Sequence, residues 1–295
     1  MFLSIITPTY NRANLLVQCF NSLDKQTDLD FEWIIIDDGS EDNTKYVVKS
    51  LINECKNKFK IIYIYKQNGG KHTALNKAFG IASGELTLIL DSDDVLTEDA
   101  VETIRYVWSK NKNINNLSIL SFLRKSSNGK VIGDSFPEDN LISNHIEFIT
   151  NKDIKGDKCE VIETKIIKEY RFSEFPGEKF IGESTMWTKL AKEYDTLYVN
   201  KPIYTTEYLD DGLTKSGRYL RIKSPLGGME LSNEYVSKDY KLKIRIKNSI
   251  LYVTYGLFSK KGLRSIFNQS NNKILFLINF PVAGILYLYW KYKYL

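Results

Sequence analysis

Between residues 1 and 110, short apolar runs rich in β-branched residues alternate with longer stretches in which apolar residues recur every three or four positions. That alternation predicts β-α-β units around a mainly parallel sheet, with helices on both faces. Strands are expected at residues 3–7, 32–37, 60–65 and 86–90, and helices near 14–25, 44–56, 73–82 and 97–110. Past residue 111 the pattern is mixed. It suggests strands at 117–123 and 131–132, a helix at 184–194 and a strand pair around 197–204. The remainder looks largely helical, although 241–247 (KLKIRIK) alternates like a strand and stays ambiguous.

A polar cluster follows each of the first four strands: Pro8-Thr9-Tyr10-Asn11-Arg12, Asp37-Asp38-Gly39-Ser40, Asn68-Gly69-Gly70-Lys71 and Asp91-Ser92-Asp93-Asp94. Any one of these would pass as an ordinary turn. Four at the carboxyl ends of neighbouring parallel strands mark the rim where such sheets bind ligands.

Composition sharpens this picture in one respect. The 295 residues are 43% hydrophobic, enough for a substantial core, and the net charge of +5 is too mild to point to nucleic acid. The charge is unevenly placed. Residues 212–295 hold 15 Lys and Arg against the three acids Glu230, Glu234 and Asp239, which is +12 and leaves −7 for residues 1–211. A basic portion of this kind seeks anions such as lipid headgroups. Cys19, Cys55 and Cys159 are odd in number and widely spaced, so neither a disulfide framework nor a zinc site is expected, and a reducing cytosol fits. The first seven residues carry no basic stretch and run into Pro8, which reads as a strand rather than a signal peptide.

The clusters suggest chemistry. Three carboxylates in Asp91-Ser92-Asp93-Asp94 offer hard oxygen ligands for Mg²⁺ or Mn²⁺, against the simpler reading of a helix N-terminus. An aspartate in Asp37-Asp38-Gly39-Ser40 could accept the imide N–H of a pyrimidine, and the Asn68–Lys71 loop offers amides and a cation to ribose or phosphate oxygens.

In order and spacing these residues resemble the inverting family 2 glycosyltransferases of GT-A fold. The resemblance runs through Ser4-Ile5-Ile6-Thr7-Pro8-Thr9-Tyr10-Asn11-Arg12, Trp33-Ile34-Ile35-Ile36-Asp37-Asp38-Gly39-Ser40, Asn76-Lys77-Ala78, Ala82-Ser83-Gly84-Glu85 and Leu90-Asp91-Ser92-Asp93-Asp94. It implies a Rossmann-like domain that holds a UDP-sugar, with Thr7, Pro8, Tyr10 and Arg12 at the nucleotide, Asp38 at the base, and Lys71 and Asn76 beside the nucleoside. Asp91-Ser92-Asp93 becomes a D-x-D motif in which Asp93 ligates Mn²⁺ or Mg²⁺, with Asp91 near the ribose or the metal and Ser92 between them. The general base of this family lies about ninety residues later, which points to Glu183 in Phe180-Ile181-Gly182-Glu183-Ser184, with Ser184 where an Asp is common. Glu178 is the alternative. His72 beside Lys71 is a candidate for donor phosphate, and Trp187 and Tyr208-Leu209-Asp210-Asp211-Gly212 for the acceptor side, with core packing the simpler role for Trp187.

The apolar stretch 274–290, flanked by Lys273, Lys291 and Lys293 and crowded with tyrosines, suggests an interfacial membrane segment, the competing role being a buried helix or dimer contact. The expectation is a catalytic domain at 1–211 and a basic, mostly helical extension at 212–295 on the cytoplasmic face of a membrane. The activity expected is transfer of a hexose or N-acetylhexosamine to a glycan or polyprenyl-linked saccharide acceptor in surface polysaccharide synthesis, possible as an oligomer. Two rivals are a nucleotidyltransferase on a similar sheet, for which no G-x-x-x-x-G-K-[ST] follows the first strand, and a non-catalytic nucleotide-binding scaffold.

Overall fold

Strands β1 (Leu3–Thr9), β2 (Phe31–Asp37), β3 (Lys60–Tyr65) and β4 (Leu86–Ile89) form where expected: the apolar runs of β1, β2 and β4 are buried throughout, while β3, at the edge of the sheet, is only half-buried. In the computed structural model, which describes residues 1–206 and 213–295, these four strands pair in parallel in the order β3-β2-β1-β4. The helices between them are α1 (Ala13–Asp24), α2 (Thr44–Cys55) and α3 (Lys71–Ile81). A two-residue strand β5 (Val95–Leu96) then precedes α4 (Ala100–Asn111).

Beyond β4 the sheet becomes mixed. It continues through β6 (Leu117–Lys125), the short β7 (Leu141–Ser143), β8 (Lys158–Glu163) and β9 (Asp195–Thr205). The lateral order is β4-β8-β6-β9-β5, with β8 antiparallel to both neighbours, β6 and β9 parallel, and β7 along β9. Where the sequence suggests a strand pair at 197–204 there is one bulged strand. The register jumps from Val199 opposite Phe122 to Pro202 opposite Leu123, so Asn200 and Lys201 are extra residues ahead of a proline that cannot donate to the ladder. Asn200 uses the detour to exchange two hydrogen bonds of 2.8 Å with the backbone of Phe136. Val131 makes only an isolated bridge to Lys125, not a strand.

Two compact units emerge. The first comprises Met1–Asn144, Ile154–Arg171 and Glu193–Glu207, and carries the sheet, with a core of Leu3, Ile5, Phe20, Trp33, Leu88 and their neighbours. Helix α5 (Thr164–Glu169) belongs to it. The second comprises His145–Asp153, Phe172–Lys192 and Tyr208–Leu295. It is helical: a π-helical turn at Ile146–Thr150, then α6 (Ser184–Leu190), α7 (Leu213–Lys223), α8 (Pro225–Glu234), α9 (Leu242–Phe258), α10 (Leu263–Gln269) and α11 (Lys273–Tyr294). The expected boundary between 211 and 212, and the Tyr208–Gly212 acceptor candidate, fall outside the described residues.

The ambiguous 241–247 segment is helical. Its local alternation belongs to the exposed N-terminal turns of α9, and the helix then enters a core, with Ser249 and the run Tyr252, Val253, Thr254, Tyr255 and Gly256 buried. That core also takes Met229, Ile266, Phe276 and Trp290.

Candidate active site

The four strand-end clusters of the first unit are fastened to one another. At the end of β1, the Thr9 carbonyl accepts the Asp38 N–H at 2.8 Å. Asn11 adopts a left-handed φ of 53°, donates its N–H to Ser40 Oγ at 2.9 Å and accepts the Glu41 N–H at 2.8 Å. Gly39, with φ of 88°, is needed for a second reason: a Cβ there would lie 2.7 Å from the Asn68 amide nitrogen. The first, second and third loops therefore touch through backbone.

Asp38 is the hub of this arrangement. Its buried carboxylate receives Lys66 Nζ at 2.6 Å, the Gly69 N–H at 2.9 Å, the Gly70 N–H at 2.7 Å and Asn68 Nδ2 at 3.3 Å. Its oxygens shape the glycine loop. Gly70 leads into α3, whose first residue, Lys71, forms an ion pair with Asp91 Oδ1. The third cluster is thus tied to the fourth. Tyr204 on β9 completes the support, its hydroxyl accepting the Asp91 N–H at 2.9 Å.

The acidic cluster is electrically uneven. Burial pushes the Asp91 carboxyl up, but the charges of Lys71 and Arg124 and the Lys71 hydrogen bond outweigh it and hold Asp91 below its ordinary value. Asp93 moves the other way, raised by burial and by the negative charge of Asp91. Asp94 is 4% exposed, 3.7 Å from Arg124, and pushed up to about 7 by burial and then by Asp91. Its Oδ1 is buried with no hydrogen-bond partner. Asp94 does not begin a helix, because β5 follows it and α4 starts only after Asp99, so helix capping does not explain the cluster.

These donors suit a divalent cation shared with a ligand. Among the described residues no three His, Cys, Asp or Glu side chains converge as a ready-made cage. Two carboxylates, with phosphate oxygens and water for the rest, is the usual way Mg²⁺ is held, and a cation near Asp91 and Asp93 would relieve the repulsion that raises Asp93.

The remaining expected residues divide. Tyr10 is 46% exposed at the rim and Arg12 precedes α1. Pro8 closes the end of β1, Asn76 and His72 are buried within α3, and Ser92 is buried between the aspartates. Thr7 is fully buried and its hydroxyl accepts from Trp33 Nε1 at 2.8 Å, since it shares the core face of β1 with Leu3 and Ile5. Thr9, two residues on, has a buried hydroxyl without a partner. Lys66, Arg124 and Tyr204 were not singled out from sequence. Only contacts across the fold reveal them, as each lies far along the chain from the group it supports.

In the second unit the two candidate bases separate. Glu178 accepts the N–H groups of Leu226 at 2.8 Å and Gly227 at 3.0 Å, the second and third residues of α8, and so caps that helix from 48 residues upstream. Burial raises its carboxyl against those two bonds. Glu183 stands immediately before α6, half-buried, with its backbone carbonyl opening the helix. Trp187 on α6 is half-buried.

The family model described as glycosyl transferase family 2 matches residues 4–158. A Campylobacter jejuni protein named GalNAc(5)-diNAcBac-PP-undecaprenol beta-1,3-glucosyltransferase is 29% identical over 298 residues, which cover 97% of this chain and 92% of the relative. The chondroitin synthase of Pasteurella multocida is 38% identical over 122 residues, 38% of this chain and 12% of that much longer one. Among solved structures, S. aureus TarS 1-349 in complex with UDP-GlcNAc has a TM-score of 0.64 at 20% identity, covering 91% of this chain and 76% of that one. The mannosyltransferase PcManGT from Pyrobaculum calidifontis in complex with GDP-Man and Mn²⁺ has a TM-score of 0.57 at 16% identity, over 97% of this chain and 80% of that one. Both structures share this fold.

Proposed function

The chain belongs to glycosyl transferase family 2, and from that premise we propose that it moves a hexose or N-acetylhexosamine from a UDP-sugar, with inversion, to a hydroxyl of a lipid-linked glycan during surface polysaccharide assembly. The observation that carries this reading is the continuous fastening from Asn11 through Ser40, Asp38 and Gly70 to Lys71 and Asp91, which makes one preorganised rim on a GT-A sheet. A diphosphate nucleotide needs amides, a cation and carboxylates together, and the rim supplies all three. Names of relatives that bind UDP-GlcNAc or act on an undecaprenol-linked saccharide agree with the donor and acceptor classes.

In this reading Pro8, Tyr10 and Arg12 border the nucleotide, and Asp38 acts through the Asn68–Gly70 loop it shapes. Lys71 and Asn76 lie along the nucleoside diphosphate, and Asp93 and Asp91 would hold Mn²⁺ or Mg²⁺. That ion would neutralise charge developing on the departing diphosphate. Lys71 adds a positive charge on the same side. Glu183 takes the proton of the acceptor hydroxyl as the oxygen attacks the anomeric carbon opposite the leaving group, so a single displacement inverts that carbon without a covalent intermediate. Glu178 is unsuited to the task because its oxygens are committed to α8. The second unit brings the protein to the cytoplasmic face of a membrane through α11, where such an acceptor resides.

The test is release of UDP from a panel of UDP-sugars with Mn²⁺, in the presence of a membrane extract holding lipid-linked glycans. Acceptor-dependent release that stops with EDTA is expected. Tight UDP binding without release from any donor would favour the non-catalytic scaffold instead.

A further inference from the structure

Beyond an anchor made by α11 alone, and resting on the reading that the second unit meets a membrane, we infer that α9 and α11 together form a lipid-binding face whose intervening groove takes an acyl chain of an anionic phospholipid, with both helices lying in the plane of the leaflet.

The exposure of α11 is one-sided. Ile274, Leu277, Ile278, Val282, Ile285 and Leu288 are 50% to 72% exposed and recur every three or four residues, which puts them on one stripe. The opposite face is committed to protein. Phe276, Ala283 and Trp290 are buried, Phe276 edge-on to Phe267 at 5.3 Å between ring centroids and Trp290 against Tyr255 at 5.7 Å. At about 1.5 Å per residue, 22 residues are long enough to cross a bilayer. Crossing would strip Phe276 and Trp290 from their core. Lying flat leaves that core intact and buries the stripe.

A groove of about 590 Å³ between the two helices is lined by Ile250, Leu251, Val282 and Ile285 together with Lys243 and Lys247. The lysines stand one turn apart on α9 and are both exposed, so their stems can lie along lipid with the ammonium groups at headgroup level. Neither helix contains an Asp or Glu, while α9 carries Lys243, Arg245 and Lys247 and α11 carries Lys273, Lys291 and Lys293. That charge selects an anionic occupant, and it disfavours a second copy of the chain, which would present the same cations.

The test is flotation of the full-length protein with phosphatidylcholine vesicles, alone or with phosphatidylglycerol, comparing wild type with Lys243→Glu/Lys247→Glu on α9 and Ile278→Asp/Ile285→Asp on α11, near-UV circular dichroism confirming that each variant is folded. Wild type should bind the mixed vesicles and be released by alkaline carbonate. Both double variants should bind them at least about tenfold more weakly. Wild-type-like binding by the α9 variant with loss in the α11 variant would overturn this inference while leaving the α11 anchor standing. No vesicle binding by wild type would overturn both readings, and resistance to carbonate would show a span. A wild-type dimer that the α11 variant dissolves, without vesicle binding, would make the face a self-interface and also refute the proposal.

Discussion

Glu178 and Glu183 are five residues apart and similar to the eye, yet Glu178 accepts two amides at the start of α8, while the Glu183 side chain makes no cap bond to α6. Replacing Glu178 by Ala should lower stability by about 0.5–2 kcal/mol, the range for losing a helix cap, with the donor KM unchanged. Glu183→Gln should cost about 10²–10⁴ in kcat while UDP affinity holds, the separation expected of a general base. A Glu183→Gln enzyme of wild-type kcat would remove it from the chemistry. The cysteines were legible from sequence as unpaired, and all three are buried. Burial pushes the Cys159 thiol up to about 12 and Cys19 higher still, so a thiol reagent should modify neither until the protein unfolds. Asp38 and Thr7 show what was not legible. Their positions in a motif were plain, but the donors that claim their oxygens, Lys66 and the Gly69 and Gly70 amides for one and Trp33 for the other, come from distant strands and loops.

At the scale of elements, the parallel strands and their helices could be read because each strand is a continuous apolar run bounded by turn residues and each helix between them is 11 or 12 residues long. The segment left ambiguous, 241–247, and the expected strand pair at 197–204 were decided by packing: α9 by the core that takes its C-terminal half, and β9 by a bulge ahead of Pro202 that leaves one strand. The end of the sheet opposite the strand-end loops is held by Glu32, which is fully buried and accepts Ser4 Oγ at 2.7 Å, the Ser83 N–H at 2.7 Å and Ser83 Oγ at 2.8 Å. Burial alone would raise its carboxyl, but those bonds and Lys60 leave it below the ordinary 4.5. The folded state therefore binds this proton more weakly than the unfolded chain. Its contribution to stability is present above the unfolded value and lost as pH falls below about 4.5, and Glu32→Gln should flatten that part of the acid limb in a pH series of urea midpoints. Gly84 in the same corner would carry a Cβ 2.6 Å from the Ser4 nitrogen, so Gly84→Ala should destabilise by about 1–3 kcal/mol, measured in the same way.

At the scale of the molecule, the charge division visible in the sequence accompanies a division of labour: the acidic part carries the sheet and its aspartates, and the basic part the helices with an exposed apolar stripe. What the sequence did not reveal is that α11 is structural as well as exposed. Deleting 273–295 would take Phe276 and Trp290 out of the core of the second unit, so that truncation should unfold part of the protein rather than simply free it from membranes, and surface substitutions are the cleaner probe. The claim on which the account stands is that Asp93, beside Asp91 and Lys71, helps bind a nucleoside diphosphate together with a divalent cation. It is tested most directly by the melting temperature of the wild type and of Asp93→Ala with UDP, GDP or dTDP, in Mn²⁺ and in EDTA. The account predicts stabilisation of the wild type by UDP above the other two, dependent on Mn²⁺ and absent in Asp93→Ala. Equal stabilisation of wild type and variant, or the same shift in EDTA, would contradict it.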